Sequence, residues 1–276
     1  MTHMIYVVPS LKAKEKLQCE GKAWAESQGF AYVPRGKRTI QDLMDEYGED
    51  FLVYSSRGPQ IDRPEGSHFF SLNMAELRIQ NLRKGQRDHL LEALMGVKEY
   101  DLRPVAAQPP ISVLDCTCGF GADAAVASFG LPAGSRVDAL EVSPLLEAVT
   151  AWGFSHFVHK KDDVTAALRR IFLRCGDYRD YLLSDEGPVY DVLYFDPMFQ
   201  RPVEASCQFQ PVRAIMEHGG LTRDLIERAL QKARRRVVIK ERDFRQLCRD
   251  FPDVTLYGGK YSRIGYAVLE CDSWKK

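Results

Sequence analysis

The chain has 276 residues, of which 45% are hydrophobic and 28% charged, with a mean hydropathy of −0.30. This composition is typical of a globular protein with one large or two modest domains, and it excludes a fibrous or intrinsically disordered chain. Because 38 basic side chains balance 38 acidic ones, the bulk charge gives no indication of a nucleic acid or membrane partner.

The first 73 residues predict a small N-terminal α/β unit. Apolar β-branched runs indicate strands, and apolar residues at helical spacing indicate helices. In chain order these are a strand at Met4–Val8, a helix at about Lys12–Gln28, a strand at Phe30–Pro34, a helix at Ile40–Tyr47, a strand at Phe51–Tyr54 and a hairpin-like loop at Ser55–Gly66 leading to Phe69–Leu72.

Two helical segments, about Met74–Leu82 and Gln86–Val97, come next. The stretch Leu102–Pro110 contains three prolines and is the best candidate for a linker. We therefore expect an α/β unit at 1–73, a helical connector at 74–105 that packs on the catalytic domain, and a catalytic domain at 106–276.

From Ile111 onward, short strands alternate with helices. The strand candidates are ISVLDC, RVDALEV, RIFLRC, DVLYFDP and RRVVIKE. Such alternation predicts a doubly wound, mostly parallel sheet. At the end, Val254–Leu256 and Tyr266–Glu270 follow one another without a helix between them, so we expect a terminal antiparallel hairpin. This ending favours the Rossmann-like fold of class I methyltransferases that use S-adenosylmethionine (SAM) over that of dinucleotide-dependent oxidoreductases.

A glycine-containing turn follows the first strand of this domain. It runs from Asp115 through Gly119 and Gly121 to Asp123 and opens a helix over Ala124–Phe129. The glycines allow close approach of a ligand to the backbone at the carboxyl end of the strands. A carboxylate at Asp115 would repel a pyrophosphate and attract an ammonium group, and SAM carries an ammonium and no phosphate.

Two further acids stand at neighbouring strand ends. Glu141 ends the second strand, where a carboxylate can accept hydrogen bonds from both ribose hydroxyls. Asp177 follows the third strand in Gly176-Asp177-Tyr178. Its position suits a contact with an adenine amino group and equally a helix N-cap for Tyr178–Leu183.

The fourth strand ends in Asp196-Pro197-Met198-Phe199. An exocyclic amine conjugated to a ring is a poor nucleophile, and acceptors for its two N–H groups direct its lone pair toward a methyl donor. The Asp196 carboxylate and the Pro197 carbonyl are the predicted acceptors, and Phe199 is predicted to stack on the base. For an isolated Asp-Pro pair, a plain turn would be the simpler interpretation.

The chain resembles a family of bacterial small-subunit ribosomal RNA guanine-N2 methyltransferases called RsmJ or YhiQ. The resemblance rests on Asp196–Phe199, on Val238-Ile239-Lys240 and on the run from Val113 to Asp123 that contains Asp115, Thr117, Gly119 and Gly121, and it covers about Phe69 to Leu269. It implies that SAM is held by Ala122, Asp123, Glu141, Val142, Asp177, Tyr178 and Asp196. The acid-Pro-x-aromatic motif is shared with other amino-directed methyltransferases, so it specifies the chemistry better than the substrate.

Basic residues concentrate in two segments beside the predicted site. Arg223–Arg249 contains ten basic and four acidic residues. Arg78–Arg87 contains four basic residues and no acid, where the resembled family carries a basic run richer in glycine. We expect Arg78, Arg83, Lys84, Arg87 and Lys240 to contact RNA. The alternatives are a solvated helix C-terminus at Arg234–Arg236 and a structural ion pair at Lys240.

Location and metal content are predicted from absences. No apolar run reaches the ~20 residues of a membrane span, and the N-terminus lacks a signal-peptide pattern. Seven irregularly spaced cysteines predict no disulfide framework, and Cys116-x-Cys118 lacks a second ligand pair for zinc. We expect a cytoplasmic protein without membrane attachment or bound metal.

The first functional hypothesis is SAM-dependent methyl transfer to an exocyclic amino group, guanine N2 in ribosomal RNA, on free RNA or an assembled subunit. A second is methyl transfer to a protein amide or a small metabolite, which the balanced charge and the single glycine of Arg78–Arg87 favour. A third is a non-catalytic SAM-binding module, which the intact Asp196–Phe199 motif disfavours. NAD-linked oxidation ranks last because of Asp115.

Overall fold

The computed structural model describes residues 4–98, 108–197, 220–258 and 264–272. They form two compact units. The N-terminal unit contains 4–71 together with 143–157, a helical segment that the sequence assigns to the catalytic domain, and the C-terminal unit contains the other described residues. The linker predicted at Leu102–Pro110 lies mostly outside the described residues.

The N-terminal unit is built on a five-stranded sheet. Its elements from the first 71 residues are β1 (Tyr6–Pro9), α1 (Glu15–Ser27), β2 (Ala31–Tyr32), α2 (Ile40–Tyr47), β3 (Phe51–Ser55), β4 (Gly58–Arg63) and β5 (Gly66–Phe69). The strand order is β2-β1-β3-β4-β5, with β1 parallel to β2 and β3 and the remaining pairs antiparallel. Val8, Leu43, Phe51 and Val53 form its small apolar core.

The prediction of a loop over Ser55–Gly66 is wrong, because β4 lies inside it. Glycine, proline and charged residues read as turn signals there. All six residues of β4 are nevertheless buried, since the strand lies between β3 and β5. Its polar groups find partners at short range: the Gln60 amide donates to Asp62 at 2.7 Å, and the Arg63 guanidinium donates to the carbonyls of Asp62 and Glu49.

The C-terminal unit contains a seven-stranded sheet with helices between its strands. Its elements, with one helix of the N-terminal unit between them in the chain, are α3 (Asn73–Arg83), α4 (His89–Met95), β6 (Ser112–Asp115), α5 (Ala122–Gly130), β7 (Arg136–Glu141), the N-terminal unit's α6 (Pro144–His156), α7 (Asp162–Leu168), β8 (Ile171–Cys175), α8 (Tyr178–Leu183), β9 (Val192–Phe195), α9 (Arg223–Lys232), β10 (Arg236–Glu241), α10 (Arg245–Asp250), β11 (Thr255–Gly258) and β12 (Gly265–Glu270).

The predicted sheet is confirmed. Its order is β11-β12-β10-β9-β6-β7-β8, with β6 to β10 parallel and β12 antiparallel to both β10 and β11. The chain leaves β6 toward β7 on one side and returns to β9 on the other. Ligands of open α/β sheets bind at such a switch point, outside the carboxyl ends of the strands. The ends of β6 and β9 therefore define where a site belongs.

Arg234–Arg236 is not the solvated helix end that the sequence allowed. Helix α9 ends at Lys232, and Arg236 is the first residue of β10. Its side chain is buried, forms an ion pair with Glu270 on β12 at 3.1 Å and donates to the carbonyl of Leu94.

Within the described ranges, no helix combines the length and apolarity that crossing a membrane demands.

Candidate active site

The glycine turn predicted after the first strand connects β6 to α5. Gly119 and Gly121 both have a positive φ, +55° and +74°, which side chains with a Cβ rarely adopt. Among the described residues, a Cβ at Gly119 would approach nothing nearer than the Thr117 carbonyl oxygen at 4.0 Å. The glycines therefore give this turn a backbone conformation that lets a ligand approach the main chain closely.

Asp115 is a buried acid at the end of β6. It is 2% exposed, and its Oδ1 accepts a hydrogen bond from the Thr117 amide at 3.1 Å. Burial raises the pKa of Asp115 well above its usual range, and the nearby Asp123 and Asp196 raise it further. No cation in the described parts of the chain forms a contact ion pair with it. A positively charged ligand group would relieve this cost, which fits the predicted contact with an ammonium.

Glu141 is joined to the glycine turn. Its Oε2 accepts a hydrogen bond from the Gly119 amide at 2.9 Å, so the acid at the end of β7 holds the turn that follows β6. The sequence predicted both residues but not this contact. Val142 follows half-buried, and Ala122 is the first residue of α5. The contact of Glu141 with a ribose stays a prediction.

Asp177 makes the contacts of a helix cap. Its side chain accepts from the Arg179 amide at 2.8 Å and forms an ion pair with the Arg179 guanidinium at 3.0 Å. Tyr178 is buried, with its ring edge-on to Phe195 at 5.4 Å between centroids. The N-cap that the sequence allowed is therefore present, and the adenine contact stays a prediction.

Asp196 follows β9 and is fixed at two points. Its amide donates to the Thr117 hydroxyl at 2.7 Å, which ties the end of β9 to the loop after β6. Its Oδ2 accepts from the Lys240 ammonium at 2.7 Å. Pro197 is half-buried beside it. Phe199 lies outside the described residues, so its predicted stacking has no structural counterpart here.

Lys240 and Asp123 join Asp196 in a network of charged side chains at the ends of β9 and β10. We call this network, together with Arg78, Asp88 and Asp115, the active corner. Asp123 accepts from Lys240 at 2.8 Å and from the Tyr194 hydroxyl at 2.7 Å, and it forms an ion pair with Arg78. Burial alone would raise the pKa of Asp123, but Lys240 and Arg78 outweigh it and hold that pKa well below its usual range. Burial raises the pKa of Asp196 despite the adjacent Lys240.

The basic residues predicted to contact RNA are mostly paired with acids. Arg78 donates to both oxygens of Asp88 at 2.8 Å in addition to its contact with Asp123. Arg83 pairs with Asp163, and Arg87 pairs with the buried Glu92 at 2.5 Å. Lys84 is exposed. Lys240 forms the ion pairs that the sequence left as its structural alternative, while its contact with RNA remains a prediction.

The corner carries a negative excess suited to a cationic ligand. Four carboxylates, those of Asp88, Asp115, Asp123 and Asp196, face the two cations Arg78 and Lys240. SAM carries a sulfonium and an ammonium, so the donor set fits this cofactor. Among the described residues there is no cluster of side chains that would hold a metal ion.

A family model and a bacterial relative both match most of this chain. Residues 76–264 match the model of a family of SAM-dependent methyltransferases, SAM_MT. YpiP of Bacillus subtilis is 28% identical over 236 residues, which are 85% of this chain and 88% of that protein.

Other relatives of this chain, from several bacteria, are named ribosomal RNA small subunit methyltransferase J. The one from Thioalkalivibrio sulfidiphilus is 32% identical over 56% of this chain and 57% of its own length, and the one from Dechloromonas aromatica is 28% identical over 72% and 76%. The crystal structure of the SAM-dependent methyltransferase NGO1261 from Neisseria gonorrhoeae matches with a TM-score of 0.62 at 18% identity, over 97% of this chain and 96% of that one. The fold and the resemblance predicted from the sequence are confirmed.

Proposed function

Because the chain belongs to the family of SAM-dependent methyltransferases, with SAM as its cofactor, we propose that it methylates an exocyclic amino group, guanine N2 of small-subunit ribosomal RNA. One observation carries the amine specificity. Asp196 is held by its amide on Thr117 and by its Oδ2 on Lys240, at the switch point of the sheet and directly before Pro197. This arrangement supports two fixed acceptors for the N–H groups of an amine.

The residues of this corner supply orientation rather than covalent chemistry. When bound, SAM supplies a methyl group activated by the positive charge on its sulfur. Asp196 and the Pro197 carbonyl accept the two N–H groups, which directs the nitrogen lone pair toward the methyl group. The fixed φ of Pro197 holds its carbonyl in place. We assign the proton that the nitrogen loses to the Asp196 carboxylate.

The cofactor is assigned to the acids and the glycine turn. Asp115 would bind the ammonium group, Glu141 the ribose hydroxyls, and Asp177 the adenine amino group. The turn containing Gly119 and Gly121 allows the close approach that this requires, because both glycines have a positive φ.

The RNA substrate is supported by the relatives named for methylation of small-subunit ribosomal RNA. A base that reacts at its amino group must leave its stack, at a cost of a few kcal/mol. We assign its binding to stacking on Phe199, worth roughly 1–3 kcal/mol. Exposed Arg83, Lys84 and Arg87 would contact phosphates, and Arg78 and Lys240 would act from within the corner.

A second candidate is methylation of a protein amide or a small metabolite at the same corner. The pairing of Arg78, Arg83 and Arg87 with acids favours it, because ion pairs reduce the positive charge available to phosphates. The same orientation of an N–H₂ group by Asp196 and Pro197 would serve an amide or an amine.

Radiolabelled SAM and small ribosomal subunits from a strain that lacks this protein provide the test. We expect label in one methylated guanosine of the RNA digest, lost with Asp196→Ala and retained with Asp45→Ala, an exposed acid on α2. Label that enters only protein or small molecules would replace the first candidate by the second. An active Asp196→Ala variant would contradict the role of Asp196.

A further inference from the structure

Lys240 lies between two carboxylates that belong to different elements. Its ammonium is 2.8 Å from Asp123 of α5 and 2.7 Å from Asp196 after β9. The register of the parallel strands pairs Ile239 with Phe195, which places the next residues, Lys240 and Asp196, side by side. The Lys240 side chain is only 15% exposed. A contact with RNA phosphate would have to compete with both of these ion pairs.

Asp123, the second carboxylate partner of Lys240, is itself held by further contacts. Asp123 is held by the Tyr194 hydroxyl and by Arg78. Both oxygens of Asp88 accept from Arg78, and Asp88 is the N-cap of α4, accepting from the Leu90 amide at 3.0 Å. A continuous chain of charged groups therefore runs from the start of α4 to the carboxylate of Asp196. Lys240 is its last link.

We propose that Lys240 is a positioning residue for methyl transfer, whose ammonium fixes Oδ2 of Asp196 so that Oδ1 faces the incoming amino group. This inference rests on the proposed function of Asp196. The Thr117 hydroxyl already fixes the Asp196 backbone, and Lys240 fixes the remaining rotation of the side chain. Oδ1 accepts no hydrogen bond from the described residues, and the Asp196 side chain is 29% exposed.

Lys240 also controls the charge of Asp196. Burial raises the pKa of Asp196, the neighbouring acids Asp123 and Glu241 raise it further, and Lys240 lowers it. A protonated carboxyl group would have lost part of its capacity to accept the amine N–H. The titratable and charged groups around this pair are Asp115, Asp123, Glu241, Tyr194, Tyr266, Arg78 and, through Arg78, Asp88. Most of them are acidic and oppose a negative charge on Asp196, whereas Lys240 lowers the pKa of Asp196.

Three lysine variants test the proposal in the RNA-labelling assay. We expect Lys240→Met to lower kcat by about 100-fold, the cost of a misplaced reacting group, with the KM for SAM little changed. The acidic limb of its pH–rate profile should move to higher pH, because Asp196 loses the cation that lowers its pKa. Lys240→Arg keeps the cation and should recover most of kcat and the wild-type profile. Lys37→Met, an exposed lysine of the N-terminal unit, is the control for loss of one charge.

A second readout is independent of turnover. Carbon-13 NMR of labelled aspartates, with Asp196 assigned through Asp196→Asn, should show its titration midpoint rising in Lys240→Met. Calorimetric SAM binding reports whether each variant is folded, and Lys240→Gln replaces Lys240→Met if the latter is not.

Wild-type kcat and an unchanged acidic limb in the neutral variant would overturn the role of Lys240. Equal loss of kcat in the neutral variant and in Lys240→Arg, without a shift of the NMR midpoint, would also overturn it. A wild-type enzyme that labels no RNA would instead contradict the proposed function, and the NMR titration would still decide whether Lys240 controls Asp196.

Discussion

The two units of this chain pair their polar side chains over different distances. In the C-terminal unit the ion pairs of the active corner join residues 45, 117 and 44 positions apart: Arg78 with Asp123, Asp123 with Lys240, and Lys240 with Asp196. In the N-terminal unit, representative pairs span 3 and 8 positions, Thr39 with Asp42 and Arg38 with Glu46. Local pairs stabilise one element, whereas the distant ones form only when the sheet is assembled.

Burial makes the distant pairs costly. A buried ion pair gains little net stability, because desolvation of both charges opposes their attraction. The N-terminal unit relies on aromatic packing instead, as in the contacts of Phe70 with Phe154 and Phe157 at 5.6 and 5.5 Å between ring centroids. Removing a charged side chain should therefore destabilise the C-terminal unit most. Changing the size of a packed side chain should destabilise the N-terminal unit most.

The largest effect is expected for Asp123→Ala. It leaves the half-buried Lys240 and Arg78 with one carboxylate partner fewer, and breaking a buried pair costs about 3–5 kcal/mol. The measurement is the free energy of unfolding by urea. Because the folded-state pKa of Asp123 is lowered, its contribution is present above the pKa of an unfolded aspartate and is lost as the pH falls below it.

The difference between wild type and Asp123→Ala should therefore shrink in acid. Asp163→Ala is the matched control, since it removes the half-exposed partner of Arg83 and should change stability by less than about 1 kcal/mol. Equal costs for the two variants would remove the distinction between buried and surface pairs.

Gly153→Ala should be a harmful change of shape in the N-terminal unit. A Cβ there would lie 1.9 Å from the Phe70 ring, which Phe154 and Phe157 hold in place. Overpacking of this kind costs about 1–3 kcal/mol, although alanine favours the helix itself. Thermal unfolding measures it. Gly176→Ala is the control, since among the described residues its Cβ would meet only Leu140 at 3.6 Å. Similar melting temperatures for the two variants would contradict the packing argument.

Asp115→Asn should stabilise the free protein while weakening SAM binding. The amide keeps the acceptor for the Thr117 N–H and removes a buried charge whose pKa is raised. We expect a gain of about 0.5–2 kcal/mol at neutral pH, which decreases as the pH falls and Asp115 itself becomes protonated. The loss of a charged hydrogen-bond acceptor should weaken SAM binding about 10- to 100-fold by calorimetry. A variant that is less stable than wild type, or that binds SAM as tightly, would contradict this reading of Asp115.

The sequence predicted the parts of the C-terminal sheet that depend on local pattern. Strands β6 to β10 are short apolar runs, and the hairpin of β11 and β12 follows from the missing helix. Strand β4 was not predicted because Gly58, Pro59 and Asp62 locally favour turns. Burial of the strand within the sheet outweighs that local preference.

The positions of the candidate site residues follow from the sequence, whereas the contacts between them do not. Asp115, Glu141 and Asp196 stand at strand ends, a position visible in the sequence. The hydrogen bond between Glu141 and Gly119, and the bridge of Lys240 to Asp123, depend on which strands become neighbours and in what register. No local pattern carries that information, so the sequence alone predicts phosphate binding as one role of Lys240.

The smallest effect is expected where a pair is local and exposed. The Thr39 hydroxyl accepts from the Asp42 amide at 3.2 Å, and the Thr39 amide donates to the Asp42 carboxylate at 2.7 Å, which forms a capping box at the start of α2. Thr39→Ala should lower the free energy of unfolding by about 1 kcal/mol and leave SAM affinity unchanged, because none of the contacts given above for the described site residues involves α2. Thr39→Ser keeps the hydroxyl and should retain most of the stability. If Thr39→Ala instead weakened SAM binding as Asp115→Asn does, local pairing in the N-terminal unit could no longer be treated as separate from the active corner.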